Sequence, residues 1–269
     1  MSQTLRFALN RMVAPSLSLE CFVELALSLR IDAVELRNDL PGAGIEHGRT
    51  ATEVHALCAA YGIRVLSINA LYPFDRWNAE RRAQALALLA YARDCGAEGV
   101  VLCPLNDLED RRDPPSRARD QRNALSALAP LLREHGLLGY IEPLGFEESA
   151  LRQKGKALAA IREVGGLDVF RLLHDTFHHH LAGENELFPG LTGRVHISGV
   201  EDGALPLARI RDGHRVLVGS ADLLGNARQL RELRAGGYSG YLSFEPFSGS
   251  VHLLPDIAAA LGASVDHLQ

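Results

Sequence analysis

Short apolar runs alternate with longer stretches of helical period along the whole chain. Each run is continuous rather than alternating, the pattern of a strand buried on both faces of a parallel sheet. Strands are expected at Arg6–Asn10, Ala33–Arg37, Arg64–Asn69, Gly99–Cys103, Leu138–Glu142, Val169–Asp175, Arg194–Ser198 and Tyr241–Glu245. Between them Phe22, Leu25, Ala26 and Leu29 recur at helical spacing behind Ser18. Thr50 and Glu53 form a capping box for a helix to Tyr61, and Gly62 stops it. Further helices are expected from Ala79 to Cys95, from Ser116 to His135 and from about Gly155 to Val164. Ser220 or Asp222 should cap a helix to Ala235, and Pro255 should open a last one to about Asp266. The connection after the sixth strand has no readable period. A long stretch up to Gly219 has none either, and such loops are uncommon unless functional. Eight strand-then-helix units predict an α/β chain folded as a (β/α)8 TIM barrel. Barrels of this kind reach about 250 residues as one domain, so residues 1–269 are assigned to one.

Composition narrows the chemistry. The chain is 47% hydrophobic and 23% charged, with a net charge of −5. An acidic balance without a basic run argues against a nucleic-acid partner. No apolar run approaches the ~18 residues of a membrane span, and Met1–Arg6 has no leader pattern, so a cytoplasmic protein without a membrane partner is expected. The four cysteines form no C-x-x-C pair and read as free thiols. Lys154 and Lys156 are the only lysines and sit in a polar stretch at a loop or helix start. A Schiff-base enzyme needs a desolvated lysine at a strand end, so covalent aldolase chemistry is not expected. Gly42–Gly48 has the wrong spacing for a dinucleotide fingerprint, and no P-loop stands out, so no nucleotide cofactor is expected. Nothing in the sequence fixes an oligomeric state.

The candidate site lies at the ends of the last four strands. Glu142, Asp175, His196 and Glu245 close or nearly close the fifth to eighth runs. Active sites of such barrels lie at the carboxyl ends of the strands, and side-chain alternation lets all four face inward. Three carboxylates and one imidazole are a mostly hard ligand set, suited to one divalent ion, Mn²⁺, Zn²⁺, Mg²⁺ or Co²⁺. Buried like charges repel without a cation, and no arginine stands at these strand ends to neutralise them. Glu35 and Arg37, ending the second run, can either touch substrate hydroxyls or pair with neighbours. His174 reads as a group behind the metal aspartate or as a core polar residue, and His179 and His180 read as outward or loop residues. Tyr72, Phe74 and Trp77 are candidates for an apolar pocket mouth.

These segments carry a resemblance. Val34-Glu35-Leu36-Arg37, Ile141-Glu142-Pro143, His174-Asp175-Thr176-Phe177-His178, Val195-His196-Ile197 followed by Glu201-Asp202, Asp212-Gly213-His214-Arg215 and Ser243-Phe244-Glu245 stand in the order found in xylose-isomerase-like TIM-barrel sugar isomerases and epimerases. Within that superfamily the chain is most similar to the inosose (2-keto-myo-inositol) isomerases of inositol catabolism. The resemblance implies that Glu142, Asp175, His196 and Glu245 bind the metal and that Glu142 and Glu245 are the acid/base pair. It places His178, Arg215, Arg37 and Glu201 against a sugar or cyclic keto-polyol substrate. Such an isomerase moves a proton between neighbouring carbons through an enediolate, which suits two flanking carboxylates and a Lewis acid. Ketose 3-epimerisation, hydroxypyruvate isomerisation and keto-polyol dehydration need the same site. A DNA-repair endonuclease would need more ligands and a basic face, and a non-catalytic sugar- or metal-binding barrel is the remaining alternative. The chain departs from the pattern at Ser198-Gly199, where relatives often carry acidic residues.

Overall fold

Eight parallel strands pair in chain order and close, β8 returning to β1. They are β1 (Arg6–Asn10), β2 (Ala33–Arg37), β3 (Arg64–Leu71), β4 (Gly99–Leu102), β5 (Leu138–Ile141), β6 (Phe170–Asp175), β7 (Thr192–Ile197) and β8 (Tyr241–Phe244). The structure is a computed structural model and describes residues 5–40, 42 and 44–269. Each strand is followed by helical structure: α1 (Leu19–Ser28), α2 (Ala51–Ala60), α3 (Ala79–Asp94), α4 (Pro114–His135), α5 (Lys154–Glu163), α6 (Thr176–Ala182), α7 (Asn226–Ala235), and α8 (Gly249–His252) with α9 (Ile257–Leu268). This is the (β/α)8 barrel that the alternating runs predict.

Caps fall where the sequence places them for the early helices. Ser18 Oγ accepts from Cys21 N at 3.2 Å. Thr50 and Glu53 bond reciprocally, Glu53 N to Thr50 Oγ1 at 3.3 Å and Thr50 N to Glu53 Oε2 at 2.8 Å, satisfying orphan N–H groups of the first turn. α7 starts later than expected: Asp222 Oδ2 accepts from Asn226 N at 2.8 Å across a preceding turn, so helix begins only at Asn226. The unread connection after β6 is α6, which follows the strand without a loop because Asp175 is itself its N-cap.

The interior of the barrel changes character along its axis. Near the amino ends of the strands it holds two apolar clusters, Ala8, Ala33, Leu66 and Tyr241, and Val101, Tyr140 and Leu173. Towards the carboxyl ends Asn10, Glu35, Ser67, Asn69, Asp175, His196 and Ser243 are buried instead, with Glu142 and Glu245 just past the last paired residues. The main apolar core lies outside, between strands and helices, where Phe22, Leu36, Val54, Ile68, Leu125, Leu132, Ile141 and Phe244 pack together. A buried polar layer inside a barrel is costly unless paired or assigned to chemistry, and it marks where the site is.

Candidate metal centre

Strand register brings the four ligand candidates together. Asp175 pairs with His196 across β6 and β7, and His196 with Ser243 across β7 and β8. One ligand atom from each of Glu142, Asp175, His196 and Glu245 lies within 4.8 Å of the other three, and all four side chains are buried. His196 Nδ1 stands 3.3 Å from Glu142 Oε1 and 3.1 Å from Glu245 Oε2, yet it is aligned for a hydrogen bond with neither. A buried imidazole nitrogen ringed by carboxylate oxygens without hydrogen-bond geometry is what a cation site leaves when seen as protein alone. The residues fit one divalent ion.

The orienting contacts fit as well. His196 Nε2 is 2.8 Å from Glu35 Oε2, close enough for an ion pair though likewise not aligned for a hydrogen bond, and Glu35 is held by Ser67 Oγ at 2.9 Å and Asn10 Nδ2 at 3.4 Å. A carboxylate behind a ligating histidine fixes its ring and directs the other nitrogen to the ion. Burial alone would raise the Glu35 carboxyl, but the charge of His196 and its contact with that ring bring it down to about 2. Burial likewise disfavours a charged His196, yet Glu245 and Glu35 outweigh it and raise the imidazole well above its ordinary value. So without an ion the site draws a proton onto His196, and an ion would replace that proton.

Two arginines correct the expectation that nothing neutralises these carboxylates. They come from outside the last four strand ends, so the strand-end pattern could not reveal them. Arg37 reaches across from β2 and places Nη1 2.6 Å from Glu245 Oε1, while Asp39 holds its other edge at 2.7 Å twice. Arg215 arrives on the long loop after β7, 2.7 Å from Asp175 Oδ2 and 2.8 Å from Glu245 Oε2. Its guanidinium lies over the rings of Phe177 and Phe247. Around the centre four buried carboxylates, Glu35, Glu142, Asp175 and Glu245, face the guanidinium groups of Arg37 and Arg215, and buried Arg194 also acts on Glu35. Carboxylates still outnumber these cations, which suits a divalent ion with His196 neutral.

The two glutamates are not equivalent. Glu245 accepts on Oε1 from Asn10 (3.1 Å), Arg37 (2.6 Å) and Asn69 (3.2 Å), and on Oε2 from Arg215 (2.8 Å). Burial would raise its carboxyl, but His196 and Arg215 hold it well below the usual carboxylate range. Glu142 accepts one bond, from the Cys103 thiol to Oε2 at 3.2 Å. Hydrogen bonds to the charged form lower basicity, so Glu245 is the more restrained of the pair.

Asp175 divides its oxygens: Oδ1 accepts from the Phe177 and His178 amides at 2.7 and 3.2 Å, leaving Oδ2 for the centre. The same cap starts α6 and turns His178 into the cavity. Gly145 N donates to His178 Nδ1 at 3.2 Å, and a Cβ on Gly145 would meet the His178 carbonyl at 2.2 Å, so only glycine lets the loop after β5 approach α6. A cavity of about 920 Å³ opens above the centre, lined by Glu142, Glu245, Arg37, Arg215, His178 and Phe247 among others.

Other expectations fare differently. Glu201 is exposed and faces a separate depression beside Gly219, apart from this cavity. Of the three aromatic residues expected at the mouth, Tyr72 lines the cavity, whereas Phe74 is wholly buried in the core and Trp77 packs against it. His179 is buried, not outward, and Lys154 opens α5, as the helix-start reading expects, but with its side chain buried. Asn10, Asn69 and Cys103 escaped notice, although each ends an apolar run in a polar atom as the ligands do.

Comparison with known proteins agrees with this geometry. The family model described as xylose isomerase-like TIM barrel matches residues 23–269. The chain belongs to that family. A xylose isomerase domain containing protein from Salmonella typhimurium LT2 shares 35% identity with this xylose isomerase-like barrel, with a TM-score of 0.91 over 99% of this chain and 98% of that one. The IolI protein, crystallised with a zinc atom, is 20% identical with a TM-score of 0.84, covering 98% of each chain. An L-ribulose 3-epimerase is 19% identical with a TM-score of 0.67, over 98% of this chain and 92% of that one. No curated protein sequence matches the chain. The family includes sugar isomerases and epimerases.

Proposed function

We propose that the chain is a metal-dependent isomerase of a keto-polyol, with inosose (2-keto-myo-inositol) as the foremost candidate substrate and inositol catabolism in the cytoplasm as its setting. One observation carries the reading: a buried three-carboxylate, one-histidine cluster, open to a cavity sized for a small molecule. Among the described residues no helix is long and apolar enough to cross a membrane. The partner proposed is a small sugar or cyclic keto-polyol, not a nucleic acid or a membrane.

Glu142, Asp175, His196 and Glu245 would hold one Mn²⁺, Zn²⁺, Mg²⁺ or Co²⁺, which when bound supplies Lewis acidity to a carbonyl and its neighbouring hydroxyl. Glu142, the less restrained carboxylate, takes the proton from the carbon beside the carbonyl through Oε2. Glu245 is the second member of the acid/base pair, and its bonds to Arg37 and Arg215 make it the weaker base. His178, with Nδ1 occupied by Gly145, presents Nε2 as a donor to a substrate oxygen. Arg37 and Arg215 contribute positive potential where the enediolate charge develops. Phe247 and Phe146 wall the cavity and limit water around it.

Epimerisation is the second reading, favoured by the L-ribulose 3-epimerase and 3-keto-D-glucoside 4-epimerase likenesses. It needs a carboxylate on each face of the substrate. Metal-loaded protein in deuterated water, followed by proton NMR, separates the readings. Isomerisation puts deuterium beside the carbonyl of inosose and shifts the carbonyl, whereas epimerisation inverts one centre. Absence of exchange into inosose and every ketose of a panel would remove both.

A further inference from the structure

The cavity is larger than the reaction needs, and its far wall is built differently from its floor. It runs from Glu142 and Glu245 out to the first turns of α3, where Arg81, Gln84 and Leu88 line it with Tyr72 and Asn106. Each arginine of the cavity except one is matched by a carboxylate. Arg37 has Asp39 and Glu245, Arg215 has Asp175 and Glu245, and Arg49 has Glu20 at 2.7 Å. Arg81 has no carboxylate partner among the described residues.

The bonds that Arg81 does make fix how it is presented. Nη1 donates to the Tyr72 carbonyl and to Gln84 Oε1, each at 2.5 Å. That anchors one corner of the guanidinium. Nε is buried without a partner, and among the described residues no bond engages Nη2. The Nε–Nη2 edge is therefore free, and it is the edge that grips a carboxylate or phosphate with two parallel bonds. Asn106 adds a second buried, unpartnered polar atom in the same wall, Oδ1, an acceptor that suits a substrate hydroxyl and not the anion itself. Tyr72 ties the two together, since its hydroxyl accepts from Asn106 N at 3.3 Å while its carbonyl holds Arg81. Buried polar atoms left unmatched in a concave wall call for a partner from outside.

The spacing suits a single substrate. Asn69 touches Glu245, and Tyr72 touches Arg81. Three peptide steps separate them, at most about 11 Å of chain, the scale of an extended six-carbon sugar carrying a terminal group.

We infer that Arg81 forms an oxyanion subsite that receives a carboxylate or phosphate on the end of the substrate away from the carbonyl, with Asn106 Oδ1 beside it to accept from a neighbouring hydroxyl. The natural substrate is then an acidic or phosphorylated keto-polyol, which narrows the isomerase reading and displaces neutral inosose as its foremost candidate. This rests on the isomerase reading for the identity of the other end, but not for the subsite itself.

Three sugars of one skeleton test it: fructose, fructuronate and fructose 6-phosphate, with manganese-loaded protein. Dissociation constants are measured by calorimetry and exchange in deuterated water by NMR. The subsite predicts that at least one anionic sugar binds about tenfold or more tighter than fructose, and which one identifies the anion. Arg81→Ala should collapse that ratio to near one, and Arg81→Lys, which keeps the charge but loses the fork, should leave only part of it. A wild-type ratio near one, or a ratio that survives in both variants, overturns the inference. Exchange into a ketose with no anion preference leaves the isomerase reading standing and removes the subsite. Arg81-dependent anion binding without exchange into any sugar does the reverse.

Discussion

His174 and Asp175 are neighbours on β6, and they belong to two opposite electrostatic problems. Asp175 points into the barrel, where buried carboxylates outnumber arginines and a divalent ion would close the difference. His174 points outward, where Lys154 Nζ lies 2.7 Å from its Nδ1 and 2.9 Å from His179 Nδ1, and Gln229 Oε1 lies 2.8 Å from its Nε2. Among the described residues no carboxylate bonds the amine or the two imidazoles of this rear cluster; Glu184, which accepts from the Lys154 backbone N at 2.9 Å, and Glu186 favour the ammonium, but burial outweighs them. It resolves its charge by giving up protons. Burial holds the Lys154 ammonium down to about 7, and burial with the Lys154 charge holds His179 down to about 3. A buried excess of anions needs a cation from outside, whereas a buried excess of bases needs only deprotonation. The comparison teaches that one should be sensitive to metal and the other to pH.

The largest effect should come from the inner side. Glu142→Gln removes the freer base and should lower turnover by roughly 10²–10⁴-fold, the range for a general base, measured as deuterium exchange into the active ketose. Glu245→Gln should be less damaging to proton abstraction, because its carboxylate is already engaged by Arg37 and Arg215. Equal losses in two variants that retain equal metal would break the ranking of the pair.

Chelation probes the same side through stability. An ion that binds only the folded state stabilises it by about 2.7 kcal/mol at a concentration one hundred times its dissociation constant. Removing it with a chelator should lower Tm in wild type, and should do so hardly at all in His196→Ala. A chelator-insensitive Tm in wild-type protein reconstituted with metal would remove the ion from the inner cluster.

The uneven legibility of the two clusters follows from what carries each. Glu142, Asp175, His196 and Glu245 were readable because each closes a buried strand, and strand ends converge in a barrel. Glu35 was visible but ambiguous, since its partner His196 lies across the barrel interior and nothing local names it. Arg215 stood in the resemblance as a substrate contact, yet its grip on Asp175 and Glu245 depends on how a long loop returns. The place of Lys154 at a helix start was legible, but its burial was not, because its stretch is polar by composition and only packing against β6 and α6 makes it interior. Glycine stops and capping boxes set the helices correctly where the signal was local, as at Thr50–Glu53. They failed at α7, where an aspartate caps through a turn.

The rear cluster should answer to pH. The folded Lys154 titrates near 7 and the unfolded one near 10.5. Below pH 7 both states carry the proton, and the folded state bears the whole burden of the buried ammonium. As pH rises from 7 to 10.5 the folded state loses that proton while the unfolded state keeps it, so stability climbs across that window by up to about 5 kcal/mol. Lys154→Met should flatten the climb and gain most over wild type near pH 6, as read by urea unfolding at several pH values. An identical pH profile in the variant would mean that Lys154 is not held neutral.

The smallest effect should come from Glu201, and it sharpens the contrast between resemblance and geometry. The residue follows the His196 strand in the family-like order, which is why a substrate role was expected of it. The chain turns away after Gly199, which pairs with Val216 through two backbone bonds at 2.7 and 2.8 Å. Two residues later Glu201 is solvated and faces a depression lined by Val216, Leu217 and Val218 instead of the cavity. A solvated carboxylate without a buried partner contributes within about ±0.5 kcal/mol to stability. Glu201→Ala should therefore leave KM and kcat within about twofold of wild type, since about 0.4 kcal/mol corresponds to that factor. A tenfold rise in KM would mean that the loop from Gly199 to Gly219 closes over bound substrate and carries Glu201 in with it.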